Sequence, residues 1–266
     1  MKSKSSINRN LSFLLIFFFI SACYSCGMNT DSREYYQLKV YNFSDMSQED
    51  RLDNYLRDAY LPALHRSGIN TVGVFKPAPD SEDHGKKIYV LIPFRSMDQF
   101  VQLESLLEKD QQYKTAGKDY IEASFDDPPY DRIESTLMRA FIDMPKLHVP
   151  GHTTPPGERI YEMRSYEAAT EDLYKRKVHM FNQGGEIDIF DKLNFNAVFY
   201  GEVLSGSTMP NLIYMTTFPD RKTRDEYWSI FRVDPDWEVL RDVEYYANTV
   251  SKNITLFLYP ANYSDI

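Results

Sequence analysis

The sequence predicts an α+β fold built from two tandem ferredoxin-like units, each in the order β-α-β-β-α-β. Three observations predict it. The phrase "REYYQLKVYNF" (Arg33 to Phe43) returns as "ERIYEMRSYEA" (Glu158 to Ala168), placing Tyr36 on Tyr161, Leu38 on Met163, Lys39 on Arg164 and Tyr41 on Tyr166 at a constant shift of 125. Segments of strand and helix period follow each copy in the same order. Between the copies lies "MPKLHVPGHTTPPGE" (Met144 to Glu158), with four prolines and two glycines in 15 residues. Proline lacks an amide donor and restricts its predecessor, so this run reads as an extended linker. The expected units are residues 34–143 and 158–266, joined by a linker at 144–157.

In the first unit, Tyr36, Leu38 and Val40 alternate with Gln37 and Lys39, as in a half-buried strand. Leu52, Tyr55, Leu56, Ala59, Tyr60, Ala63 and Leu64 then recur at steps of three and one, the spacing of an amphipathic helix. Gly68 closes that helix, and Pro62 is expected to bend it near its end. "NTVGVF" (Asn70 to Phe75) and "KIYVLIPF" (Lys87 to Phe94) read as strands around a turn-rich loop. A second helix is expected over about 97–113, and "ESTLMRAF" (Glu134 to Phe141) supplies the fourth strand. In the second unit "NAVFY" (Asn196 to Tyr200) answers "TVGVF", and "LIYMTTF" (Leu212 to Phe218) answers "KIYVLIPF" with Tyr214 on Tyr89. Asp234 and Trp237 answer Asp110 and Tyr113, and "NITLFLY" (Asn253 to Tyr259) forms the last strand.

The N-terminus reads as a leader. Lys2, Lys4 and Arg9 precede "LSFLLIFFFISA", an apolar run of 12 residues. A bilayer span takes roughly 20, so this is the length of a secretory signal core. Ile20-Ser21-Ala22-Cys23 resembles a bacterial lipobox, in which the cysteine is lipidated and becomes the mature N-terminus. The expected organisation is a signal peptide at 1–22, a tether at 23–33 and an exported lipoprotein anchored to a membrane through Cys23. A soluble secreted protein is the alternative. Both cysteines, Cys23 and Cys26, lie in this leader, so the folded part has no disulfide, thiolate metal site or cysteine nucleophile. Losing the leader takes the 30 basic residues to 27 against 39 acidic ones, moving the net charge from −9 to −12. An acidic exterior argues against nucleic acid and anionic lipid surfaces as partners.

"IYEMRSY", "NAVFYGEV", "NLIYMTTF" and "DPDWEVL" together resemble the NIPSNAP family, which belongs to the dimeric α/β-barrel group. "YLRDAYLPALHRSGINTVGVFKP" is similar to the first half of secreted two-domain bacterial members. The resemblance implies that the two sheets combine into a closed barrel. With both units in one chain, an intrachain pseudo-dimer is expected, and a homo-oligomer with barrels formed between chains stays open. It also implies that a small molecule would be handled in the cleft between a unit's sheet and its helices. The wider group includes monooxygenases and haem-binding enzymes.

Several residues could serve that cleft. His179 and Glu186, within "KVHMFNQGGEIDIF", are the candidate catalytic pair, with Asn182 beside them. Gly184-Gly185 are expected to break the helix between them. Candidate ligand-binding residues are His65 at a helix end, Tyr89 and Tyr214 at matching strand positions, Tyr161, and Arg164 sharing a strand face with Glu162. Each has a plainer reading as core aromatic, exposed charge or helix end. No glycine-rich phosphate loop, His-Glu-x-x-His or Gly-x-Ser-x-Gly occurs. His148 and His152 lie in "HVPGH", which cannot be helical, so no metal site is expected. A haem would need His65 or His179 as its axial ligand, and no cofactor is expected. Three functions follow in order: a small-molecule-binding lipoprotein, a cofactor-independent oxygenase or isomerase using His179, and a protein-interaction scaffold.

Overall fold

Both copies of the repeated phrase are strands. The computed structural model describes residues 32–266, so the expected signal peptide and the expected lipidation site Cys23 lie outside the described residues. The first unit contributes β1 (Tyr35–Asn42), β2 (Gly73–Pro77), β3 (Lys87–Phe94) and β4 (Arg132–Ala140). The second contributes β5 (Ile160–Glu167), β6 (Ala197–Ser205), β7 (Asn211–Phe218) and β8 (Lys252–Pro260). Each unit pairs its own strands in one sheet, with the first strand beside the third and fourth. The two sheets then join edge to edge, β2 on β8 and β4 on β6, to close an eight-stranded antiparallel barrel in the order β1-β3-β2-β8-β5-β7-β6-β4. Closure removes every sheet edge.

The helices lie outside the barrel. In the first unit they are α1 (Met46–Tyr55), α2 (Leu61–Arg66), α3 (Met97–Lys109), α4 (Gln111–Ala116) and α5 (Lys118–Ile121). In the second they are α6 (Glu171–Phe181), α7 (Glu186–Lys192), α8 (Arg221–Phe231) and α9 (Pro235–Arg241). A π-helical turn, Leu56–Tyr60, joins α1 to α2. It ends two residues before Pro62, which has no N–H for the fourth residue back, so the helix adjusts its winding there. The single helix expected over 97–113 is broken at Asp110, whose backbone is extended and whose side chain accepts from the Tyr113 amide at 3.0 Å. Asp234 repeats the device, accepting from the amides of Asp236 and Trp237 at 3.0 and 3.4 Å. Aspartate at this position caps the helix that follows.

Three apolar cores follow. One fills the barrel, and one lies under the helices of each unit. Inside the barrel Tyr36 packs on Phe199 and Phe75 on Tyr161, with ring centroids 5.3 and 4.9 Å apart. Each pair joins the two units. An eight-stranded barrel is just wide enough for side chains to fill, so this interior is a core.

The expected match of Tyr89 with Tyr214 fails by one residue. β1 and β5 keep the shift of 125. Tyr36 stands opposite Pro93, however, and Tyr161 opposite Thr217, so β3 and β7 are related by 124. Tyr89 therefore corresponds to Ile213, and both face the barrel interior. Tyr214 faces the helices of the second unit. A one-residue slip along a strand exchanges its faces. Among the described residues no helix is long and apolar enough to cross a membrane.

Candidate functional site

The helix-facing side of β5 carries an unusual load of buried charge. Glu162 has no solvent exposure. It accepts from Arg164 Nε at 2.7 Å, from Arg224 Nε and Nη2 at 2.7 and 2.6 Å, and from Trp228 Nε1 at 2.7 Å. Burial alone would raise the carboxyl's pKa. The Arg224 hydrogen bonds, the Arg164 and Arg224 charges and the Trp228 donor outweigh it and hold Glu162 below its ordinary value. The Arg164 guanidinium lies 3.9 Å from the Trp228 ring and donates to Tyr166 Oη at 3.2 Å. Tyr166 in turn shares a 2.8 Å hydrogen bond with Tyr214 Oη.

A second charged pair bridges α6 and α7. Lys177 Nζ donates to Glu186 Oε2 at 2.6 Å and lies 3.3 Å from Met180 Sδ. Both side chains are buried. Burial raises the Glu186 carboxyl, partly offset by the Lys177 and Arg164 charges. The turn between the helices brings the pair together. Gly185 adopts a left-handed φ of 87°. At Gly184 an added Cβ would sit 2.5 Å from the Met180 carbonyl oxygen, so only glycine fits there.

Between these two networks opens a cleft of about 390 Å³, lined by Arg164, Tyr166, Lys177, Glu186, Trp228, Phe231, Arg232, Trp237, Val250 and Asn253. Phe231 and Trp237 pack closely at a tilt, 4.5 Å between centroids, and with Trp228 edge-on to Phe231 form an aromatic wall. A hollow of about 560 Å³ beneath the linker is larger, but its charged lining residues, Asp143, Lys146, His148 and Asp191, are all exposed. Apolar walls with a few converging, desolvated polar groups are what small-molecule sites require, and the smaller cleft has them.

The corresponding region of the first unit is filled. Lys39, Tyr41, Leu52 and Tyr113 stand where the second unit has Arg164, Tyr166, Lys177 and Trp237. Lys39 caps the rings of Tyr41 and Tyr60 at 5.1 and 5.0 Å. Tyr55 stacks on Tyr120 at 3.6 Å and hydrogen-bonds Tyr113 at 2.9 Å.

Of the sequence-derived candidates, Arg164 and Glu186 line the cleft and Tyr214 stands just behind it. His179 and Asn182 do not line it. His179 is exposed on the outer face of α6, with Nδ1 2.8 Å from Tyr246 Oη. Asn182 is buried, but its amide caps the helix end, donating to the Val178 carbonyl and accepting from the Asp143 amide. Tyr89 and Tyr161 belong to the barrel interior. His65 is exposed and pairs with Asp265 at 2.9 Å. Both histidines thus hold surface partners, and neither lines the cleft. Sequence reasoning missed Lys177, Arg224, Trp228 and Arg232. For Lys177 a signal existed, since it falls 125 residues after the core residue Leu52.

Known proteins bear on this half of the chain most directly. Residues 161–265 match the NIPSNAP family model. Every cleft-lining residue lies within the NIPSNAP match. A NIPSNAP family protein from Agrobacterium tumefaciens is 17% identical, over 45% of this chain and 98% of its own, with a TM-score of 0.37. Over the whole barrel, a candidate monooxygenase from Lactobacillus acidophilus aligns with a TM-score of 0.57 at 10% identity, covering 86% of this chain and 94% of its own. A candidate monooxygenase from Fusobacterium nucleatum gives 0.53 at 6% identity, covering 86% and 93%. These two share the fold. No curated protein matches the chain.

Proposed function

We propose that the protein binds a small molecule in the sheet–helix cleft of its second unit, and that it does so as an exported NIPSNAP-type lipoprotein carried on Cys23. The observation that carries the binding reading is the Lys177–Glu186 pair, buried beside an aromatic cleft where the first unit has Leu52 at the lysine position and a packed tyrosine cluster. A buried ion pair contributes little net stability and is often matched or bettered by apolar residues of similar size. The packed first unit shows that the architecture does without it. Retaining it at a cleft therefore supports a binding role. The export reading is supported by the basic, apolar and Ser-Ala-Cys order of the leader.

Native mass spectrometry of the purified mature chain tests the binding. The expected result is a retained small mass that is lost when Lys177→Leu and Glu186→Leu are combined, imitating the first unit. Equal retention by the double variant, or no retained mass at all, contradicts the reading. A Cys23→Ser chain is expected to leave the membrane fraction, and its persistence there would contradict the lipid anchor.

A second reading, turnover in the same cleft, is favoured by one observation. Burial raises the Glu186 carboxyl toward the range useful for proton transfer. Acid–base work would then fall to Glu186, with Lys177 beside it, and His179 would take no part. Glu186→Gln would abolish such turnover, whereas His179→Ala would leave it unchanged.

A further inference from the structure

The charges and walls of the cleft specify the class of ligand, an inference that rests on the binding reading above. Arg164 spends three of its five N–H groups, on Glu162 and Tyr166, leaving one on each terminal nitrogen. Lys177 spends one N–H on Glu186 and directs another at the weak acceptor Met180 Sδ. Its third meets no oxygen or nitrogen acceptor among the described residues, and the ammonium lies 4.6 Å over the Phe181 ring. Arg232, exposed at the rim, donates to Ser229 Oγ at 3.0 Å and has no carboxylate partner among the described residues. The cleft therefore presents donors, and it does so in a chain whose formal charge is −9.

The charge balance favours an anion. The cations are Arg164, Lys177 and Arg232, with Arg224 and Arg221 behind them. The anions are Glu162, Glu186 and Asp225, the last held on Arg224 at 2.8 Å and 3.9 Å from Arg221. Positive charge is left over. An anion offsets it, and a cation would add to it. The leading amides of α9 are taken by Asp234. Trp228, Phe231 and Trp237, tilted against one another, supply an aromatic wall against which an apolar ring can pack edge or face.

We propose that the second-unit cleft selects planar apolar carboxylates. The ring lies on the wall formed by Trp228, Phe231 and Trp237. The carboxylate accepts from Arg164, Lys177 and Arg232. Charge-assisted hydrogen bonds to guanidinium and ammonium are the strong ones, and their strength grows where water is excluded.

Calorimetric titration of the mature protein with 2-naphthoate, 2-naphthalenemethanol and 2-naphthyl phosphate tests this. Naphthoate is expected to bind at least about tenfold tighter than either analogue. Arg232→Gln is expected to weaken naphthoate about fivefold, the size fitting a partly solvated charge, and to leave the alcohol unaffected. Arg164→Gln is expected to cost more, with near-ultraviolet circular dichroism reporting whether the Glu162 network survives. Arg232 holds no core contact, so its variant keeps the test meaningful if the other misfolds. Equal affinity for the alcohol, preference for the phosphate, or indifference of naphthoate to Arg232→Gln overturns the carboxylate assignment. Silence toward all three overturns it as well. The binding reading itself then stands or falls separately, on the mass retained by the native protein.

Discussion

Glu162 concentrates the second unit's electrostatics in one side chain. Its folded-state pKa is depressed, so it contributes stability that is present above its ordinary value of 4.5 and is lost as pH falls through the folded value. Glu186 has the opposite sign: a raised carboxyl favours folding at lower pH. Removing Glu162 leaves Arg164 and Arg224 without their shared buried partner. Glu162→Gln is therefore expected to cost about 3–5 kcal/mol at pH 7. It should also flatten the loss of stability on acidification below pH 4.5. Denaturant unfolding of both proteins between pH 3 and 7 measures this, and parallel pH profiles would contradict the assignment. Glu162 and Arg164 were legible as a pair on one strand face, but their burial was not. A charged pair on a strand exposed to water has the same spelling. What distinguishes this one is Arg224 and Trp228, which arrive from a helix some 60 residues later, where local pattern is blind.

At the scale of elements, the turn between α6 and α7 sets the cleft. Gly184→Ala would push a methyl against the Met180 carbonyl, and the chain must shift to accept it. The expected loss is about 1–3 kcal/mol, with weakened ligand retention as Glu186 moves off Lys177. Thermal and denaturant melts check the first, native mass spectrometry the second, and a neutral substitution would contradict the tight approach. The glycine pair was readable as a helix break because no other residue type so plainly permits one. Strand facing was harder. β7 is buried at every position, so its apolar run carries no alternation to say which side chains face the barrel. Aligning Tyr214 with Tyr89 by identity then fell one residue out of step. β5 was read in register because polar Gln37 and Lys39, and their partners Glu162 and Arg164, alternate with apolar neighbours. Lys177 was hidden for a further reason: in "EDLYKRKVHMF" a third basic residue looks like more solvated helix surface.

At the scale of the molecule, two copies of one unit have divided their roles. Each lends its edge strands to the other, so neither sheet closes alone. In the first unit tyrosines pack the space beneath the helices, while the second keeps a charged aromatic cleft. That division was foreshadowed by the repeat, since a duplicated unit need retain a site in only one copy. The chain has 2 tryptophans, Trp228 and Trp237, and both line the cleft. Incorporating 5-fluorotryptophan therefore gives two ¹⁹F resonances that report on this site alone. The most direct test is to follow them while 2-naphthoate, or the molecule retained by the native protein, is added. Both resonances are expected to shift and to saturate together, at the affinity measured by calorimetry. Calorimetric binding that moves neither resonance would place the ligand elsewhere and contradict the second-unit cleft as the site.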